Sequence, residues 1–278
     1  MNAMKTTVLL AAMTGLMLLV GEAVGGRSGM TIALLVATLM NFAAWFWSDK
    51  IVLASYGAKP VGPQEAPELH AIVEGLASRA GIPMPRLYVI PDPALNAFAT
   101  GRSPSHAAVA ATEGILRALN RDELEGVLAH ELSHVLNRDT LTSTVAATLA
   151  GAISWLAHMA YFMPVGRDRD DHGSNPLVAL LTILLAPFAA MLIQLAVSRS
   201  REYGADASGA RLVGHPDGLA SALRKLQAAA ERIPMRSADP ATAHLFIVNP
   251  LSGRSLAGLF STHPPLEKRI ERLMSFRG

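Results

Sequence analysis

No cysteine occurs among the 278 residues. Disulfides are thereby excluded, and so are thiolate metal ligands, which leaves histidine and carboxylate to hold any transition metal. Charge is also scarce: Asp, Glu, Lys and Arg make up 17% of the chain, aromatic residues 5%, and the mean hydropathy is +0.31. Such a composition is too apolar for an ordinary soluble enzyme. The net charge of +2 is small and spread out. No long basic run or aromatic–basic interleaving is present, so a nucleic-acid partner is not expected. There is no internal repeat and no low-complexity tract.

Four long uncharged stretches account for the hydropathy: residues 6–21, 28–48, 140–166 and 173–198. A membrane helix needs about 20 apolar residues, so the last three suffice on length. The first, bounded by Lys5 and Glu22, spans if Glu22 sits at the interface. A cleaved signal peptide is the alternative for it, given its basic start and short apolar core. The second stretch follows almost at once, after the glycine-rich link 21–29, and this favours a membrane hairpin. With Lys5 inside, Lys50, Lys59, Arg199 and Arg201 all fall on the same side as it, in accord with the positive-inside rule, although the two arginines of the outer loop 167–172 argue weakly the other way. The expected organisation is a two-span hairpin at 4–48, a cytoplasmic subdomain at 49–139, a second two-span hairpin at 140–198 and a helical cytoplasmic subdomain at 199–278.

The region 49–139 reads as globular. Residues 68–80 form an amphipathic helix carrying Leu69, Ile72, Val73 and Leu76, stopped by Gly81 and Pro83. Residues 86–90 form a short strand between prolines, and 96–101 and 106–112 two further strands joined through 101–105. After Glu202 the chain reads as helical to Leu226. A polar, proline-containing stretch and a terminal helix at 264–276 follow.

The strongest chemical signal is His130-Glu131-Leu132-Ser133-His134. Asn120 followed by Glu123 has the pattern of a capping box, and Leu124, Val127, Leu128, Leu132, Val135 and Leu136 recur at helical spacing. Residues four apart lie one above the other on a helix, so His130 and His134 can grip one zinc ion while Glu131 handles a water activated by it. The plain alternative is a surface helix with two unrelated histidines. Zinc in a hydrolase usually takes a third protein ligand. A helical hairpin through a membrane returns to the side it left, so the chain after Ser198 re-emerges near the His130–His134 helix, which favours Glu202. Asp206, one turn further on, can accept a hydrogen bond from the outer nitrogen of a ligating histidine, with His130 the expected partner. The alternative is that both acids merely solvate a helix beside Arg199 and Arg201. His158, inside the third apolar stretch, lies roughly 36 Å beyond His134 along a continuous helix, too far to share the ion. His70, His106, His172, His215 and His244 have no pattern around them.

Taken together, His-Glu-Leu-Ser-His at 130–134, Ser-Arg-Ser-Arg-Glu-Tyr-Gly-Ala-Asp at 198–206, Asn-Ala-Phe-Ala-Thr-Gly at 96–101 and Thr-His-Pro-Pro-Leu-Glu-Lys-Arg at 262–269 resemble the HtpX proteases, membrane-bound bacterial zinc endopeptidases related to the CAAX prenyl proteases. The resemblance covers nearly the whole chain. It implies a mainly α, integral membrane protein with four transmembrane helices and a zincin-like metalloprotease domain containing a small antiparallel sheet. It implies one zinc ion on His130, His134 and Glu202, with Glu131 catalytic. It further implies that Asn96, Ala97 and Phe98 belong to an edge strand that holds extended substrate, an ordinary core strand being the alternative. His263 would approach the metal, where it could stabilise an oxyanion; otherwise it is a helix-start residue before Pro264. The implied setting is the bacterial inner membrane with the site on the cytoplasmic side. Substrates would be unfolded or damaged membrane proteins, in a stress-response role.

The expected reaction is peptide-bond hydrolysis, with Glu131 taking a proton from the attacking water and passing it to the leaving nitrogen. No Gly-x-Ser-x-Gly and no cysteine offers a rival nucleophile. Two competing readings are a secreted soluble zincin, disfavoured by the apolar pair 140–198, and a non-catalytic membrane adaptor or chaperone with a structural zinc site, which would have no need of Glu131.

Overall fold

The glycine pair at 25–26 breaks the first helical run into a hairpin. Helix α1 covers Asn2–Ser55, but Gly25 and Gly26 leave helical geometry, with φ −141° and +55°. A Cβ on Gly29 would lie 2.2 Å from the carbonyl oxygen of Gly21, an approach that no larger residue permits. The two arms, Met4–Glu22 and Gly25–Ser55, are 19 and 31 residues long and apolar enough to cross a membrane. Leu19, Ile32, Leu35, Leu39, Phe42 and Trp47 stand exposed on their outer faces. The computed structural model describes residues 2–162, 198–230, 232–235, 238–250 and 264–276.

Helix α5 (Thr140–Phe162) packs against the α1 hairpin. Val145, Ala146, Leu149 and Ile153 bury themselves among Leu9, Met13, Leu16 and Ala44, and the Thr6 and Thr142 hydroxyls pair at 3.0 Å. Among the described residues two helices, not four, are long and apolar enough to span. The apolar part of α5, Thr140–Ser154, is shorter than that. The expected fourth span at 173–198 and the loop before it lie outside the described residues, apart from Ser198.

The remaining elements surround a four-stranded sheet: β1 (Lys59–Pro60), β2 (Arg86–Ile90), β3 (Ala97–Thr100) and β4 (Ala108–Thr112), in the order β1-β2-β4-β3. The sheet is mixed, which corrects the expected antiparallel arrangement. β2 and β4 run parallel, while β1–β2 and β3–β4 are antiparallel. After β2 the chain turns to the far edge, runs back as β3, and reverses again to enter between the two as β4. Two reversals restore the original direction. One face of the sheet, with Ala97, Ala99, Val109 and Ala111, packs on helix α2 (Pro67–Ala80) and helix α4 (Arg121–Leu136). The other, with Phe98, Ala108 and Ala110, packs on Val52, Leu53, Tyr56 and Phe246. Helix α3 (Glu113–Ala118) connects sheet to α4.

The expected single helix after Glu202 is two: α6 (Arg199–Val213) and α7 (Asp217–Ala230). Gly214 caps the first in the left-handed region at φ 101°, and Pro216 cannot donate a helical hydrogen bond, so the run is broken there. Helix α8 (Leu266–Met274) closes the described chain.

Candidate active site

Helix α4 carries the histidine pair, and its start is set locally. The Asn120 side chain accepts from the Glu123 N–H at 3.0 Å, and the Glu123 carboxylate accepts from the Asn120 N–H at 2.9 Å. The apolar residues of α4 face the core, so His130 and Glu131 are buried and His134 is partly covered. Helix α6 crosses α4 closely because Gly209 has no side chain: a Cβ there would meet the backbone nitrogen of His130 at 2.9 Å. That approach sets Glu202 and Asp206 against the histidines.

Donor atoms of His130, His134 and Glu202 all lie within 4.8 Å of one another. His130 Nε2 is 3.8 Å and His134 Nε2 3.5 Å from the Glu202 carboxylate oxygens. Ligands at about 2.1 Å in tetrahedral array around zinc stand roughly 3.4 Å apart, so the two separations to Glu202 are near that spacing and the donor set is compatible with such an ion. Asp206 Oδ1 lies 2.9 Å from His130 Nδ1, on the ring side away from the shared centre. Glu131 accepts a hydrogen bond from the Ala99 N–H of β3 at 2.9 Å.

Three residues that the sequence patterns did not single out complete the cluster. Arg269, on α8, is fully buried; it donates to both carboxylate oxygens of Asp206 at 2.9 and 2.7 Å and to the carbonyl of Ile247 at 3.1 Å. Asp139 stands 3.4 Å from His134 Nδ1 and 3.4 Å from an Arg201 nitrogen. His244 lines the same cavity and donates from Nε2 to the Ser143 carbonyl at 3.1 Å. None had a local signal. Arg269 lies inside a motif used for the resemblance, but as one charge among several on an amphipathic helix.

The electrostatics follow from burial. Burial would raise the Asp206 carboxyl, but the Arg269 guanidinium and His130 outweigh it and hold it down to about 2. Burial likewise opposes a charge on Arg269, and Asp206 overcomes it, so the guanidinium stays cationic. His130 is pushed down by burial and then by Arg269, which favours the neutral ring a metal needs. Burial lifts Glu131 to about 8, with Glu202 adding to the rise while His134, the Ala99 N–H and Arg269 oppose it. His134 runs the other way: burial lowers it, but the Asp139 hydrogen bond, Glu202 and Glu131 raise it to about 9. The His134 rise comes from the carboxylates gathered around it, a concentration of negative charge that a bound cation would relieve.

Asn96, Ala97 and Phe98 are all buried. Phe98 packs its ring against Phe246 and Tyr56 at centroid distances of 5.1 and 6.1 Å. Asn96 is bonded to the backbone of Val248. β3 is thus an edge strand of the sheet whose outer side is covered by other parts of the chain. His263 lies outside the described residues, and so does the side chain of His158.

Residues 63–277 match the model of peptidase family M48. A protease HtpX homologue of Desulfatibacillum aliphaticivorans is 57% identical over 280 residues, covering 99% of this chain and 90% of its own. One of Pyrococcus furiosus is 56% identical over 273 residues, covering 97% and 94%. The crystal structure of S. mikatae Ste24p shares the fold at a TM-score of 0.52 and 21% identity; the match takes in 98% of this chain and 65% of that one. With the family model matching most of its length and relatives above half identity matching end to end, the chain belongs to peptidase family M48, among the HtpX protease homologues.

Proposed function

We propose that this metalloprotease holds one zinc ion on His130, His134 and Glu202 and hydrolyses peptide bonds of unfolded or damaged membrane proteins at a membrane surface. The convergence of those three donor sets beside the buried Glu131 carries the reading. The ion, when bound, supplies a Lewis acid that activates water near neutral pH. Glu131 then accepts the proton of the attacking water and hands it to the leaving nitrogen, as its position one residue from His130 allows. Asp206 accepts from His130 Nδ1–H and leaves Nε2 unprotonated toward the ion, while Arg269 keeps that carboxylate charged. Asp139 holds the His134 ring in the same way. His263 would act on the developing oxyanion, and Asn96, Ala97 and Phe98 would support a substrate held along β3.

A bilayer setting is supported by the exposed apolar faces of the two α1 arms. Trp45, Phe46 and Trp47 near the end of the second arm suit an interface belt, and Arg102 stacks over Phe46 at 4.7 Å. In this reading the chain has four spans, two each in 4–48 and 140–198, and the two remaining parts, 49–139 and 199–278, form the site on the cytoplasmic side of a bacterial inner membrane. Stress-linked quality control of that membrane is the matching role.

The test is made with the full chain in detergent, alongside a Glu131→Gln variant. Metal content by mass spectrometry and cleavage of an unfolded membrane protein are measured for both. Zinc near one per chain in each, with cleavage lost at least a hundredfold in the variant, is the expected result. Equal cleavage by both would sink the mechanism, and zinc without cleavage in either would favour a structural site.

A further inference from the structure

The start of the outer edge of β3, where an extended substrate would pair, is met by the chain's own segment 243–248. Ile247 N–H donates to the Ala97 carbonyl at 3.1 Å. The Asn96 side chain brackets Val248, donating to its carbonyl at 2.8 Å and accepting from its N–H at 3.3 Å. Phe246 faces Phe98. One backbone hydrogen bond, Ile247 to Ala97, joins the segment to the strand; with Val248 beside Asn96 and Phe246 beside Phe98, the segment, which leaves a 3-10 turn at 243–245, runs opposite in direction to β3. Leu245, Phe246 and Ile247 also wall the cavity above His130, Glu131, His134 and Glu202, whose volume of about 30 Å³ admits little more than one water. A cavity of that size has no room for a peptide beside Glu131 while the segment is seated.

Three side-chain hydrogen bonds fasten it. Arg269 donates to the Ile247 carbonyl, His244 to the Ser143 carbonyl, and the Tyr56 and Thr242 hydroxyls bond just before the segment begins. Its apolar anchor is Phe246, fully buried, edge-on to Tyr56 at 5.0 Å and to Phe98 at 5.1 Å.

Granted the protease reading, we infer that segment 243–248 is a strap lying in the substrate's place on β3, which an incoming peptide displaces, and that the aromatic seat of Phe246 then becomes the subsite for a large apolar side chain. A substrate strand taking the same register sets one residue opposite Phe98, where Phe246 sits. The favoured substrate is therefore an extended segment with an aromatic or bulky aliphatic residue at that position. Such segments are buried in folded proteins and bared in unfolded ones.

Three measurements on the zinc-loaded full chain test this. In the first, hydrogen exchange at the amides of 246–248 is followed in Glu131→Gln with and without a saturating ten-residue peptide centred on Phe. Protection lost on binding is expected; protection kept with the peptide bound overturns the strap. In the second, Tyr56→Phe deletes the Tyr56–Thr242 bond while keeping the ring, and kcat/KM should rise about fivefold, the worth of one such bond. A merely structural role would leave it level or lower it, and either result, with zinc retained, overturns the strap. If that variant does not fold, Thr242→Val removes the same bond from the other side. In the third, replacing the central Phe of the peptide by Asp should raise KM at least tenfold, and equal KM values overturn the subsite. A wild-type chain that binds zinc and the peptide but cleaves nothing refutes the protease reading instead, and the exchange measurement still decides the strap.

Discussion

Arg269→Met gives the sharpest test of how the site is held together. The guanidinium is wholly buried and bound to both oxygens of Asp206 and to the Ile247 carbonyl. Methionine fills much of the volume but leaves Asp206 buried without its counter-charge. Breaking a buried pair from one side costs about 3–5 kcal/mol, because the orphaned charge keeps its desolvation penalty. In thermal unfolding in detergent that corresponds to a fall of about 10 °C, taking roughly 2–4 °C per kcal/mol for a chain of this size. Zinc affinity, measured by competition with a chromophoric chelator, should weaken about 10–100-fold as the Asp206–His130 contact loosens. The double variant Arg269→Met, Asp206→Leu separates the two effects: stability should largely return, since an apolar pair replaces an ionic one, while zinc affinity stays low because His130 Nδ1 has lost its acceptor. A single variant costing less than about 1 kcal/mol, or a double variant that regains zinc, would refute the account of Arg269 as the residue that keeps Asp206 charged.

Other positions give independent checks. Gly209→Val inserts a branched side chain where a single Cβ already meets the His130 backbone at 2.9 Å; α6 must back away from α4, costing about 1–3 kcal/mol and weakening zinc binding, both readable in a zinc titration followed by melting. Burial would raise the Glu123 carboxyl, but Lys225 at 2.7 Å, the Asn120 N–H and Ser221 hold it below its usual value. A depressed carboxyl stabilises above its unfolded pKa of about 4.3 and loses that contribution as pH falls through the folded value, so Glu123→Gln should lower the melting temperature at pH 7 and converge with wild type in acid. Chelating the metal should also lower the melting temperature, by about 4 kcal/mol of linkage where free zinc had stood a thousandfold above Kd, with recovery on adding zinc back. A melting curve indifferent to chelator would argue against a metal bound by the folded state.

The family was legible from four motifs in order, and His130 with His134 from spacing alone, because a helix converts a four-residue interval into neighbouring side chains whatever the rest of the chain does. The capping box at Asn120 and the α1 hairpin were local in the same sense. Setting Glu202 beside the two histidines took one step more, the expectation of a second helical hairpin whose return arm lies outside the described residues, and Asp206 followed it by a helical turn. Beyond that reach, pattern reading failed for a physical reason. The parallel pairing of β2 with β4 depends on where β3 inserts, which no strand propensity encodes. The break at Gly214 was passed over because the apolar spacing continues into α7. Arg269 reads as an ordinary helix charge until α8 docks it against Asp206, 63 residues away. The covering of β3 by Phe246, Ile247 and Val248 joins positions about 150 apart, as in the 152 residues between Asn96 and Val248. The sequence by itself determined the chemistry on offer, a histidine pair and a carboxylate on one helix beside long apolar stretches, because those relations are set by helix periodicity and hydropathy. Tertiary structure alone decided how those side chains are charged and oriented and what lines the cleft, because burial and long-range contact exist only once the chain has folded.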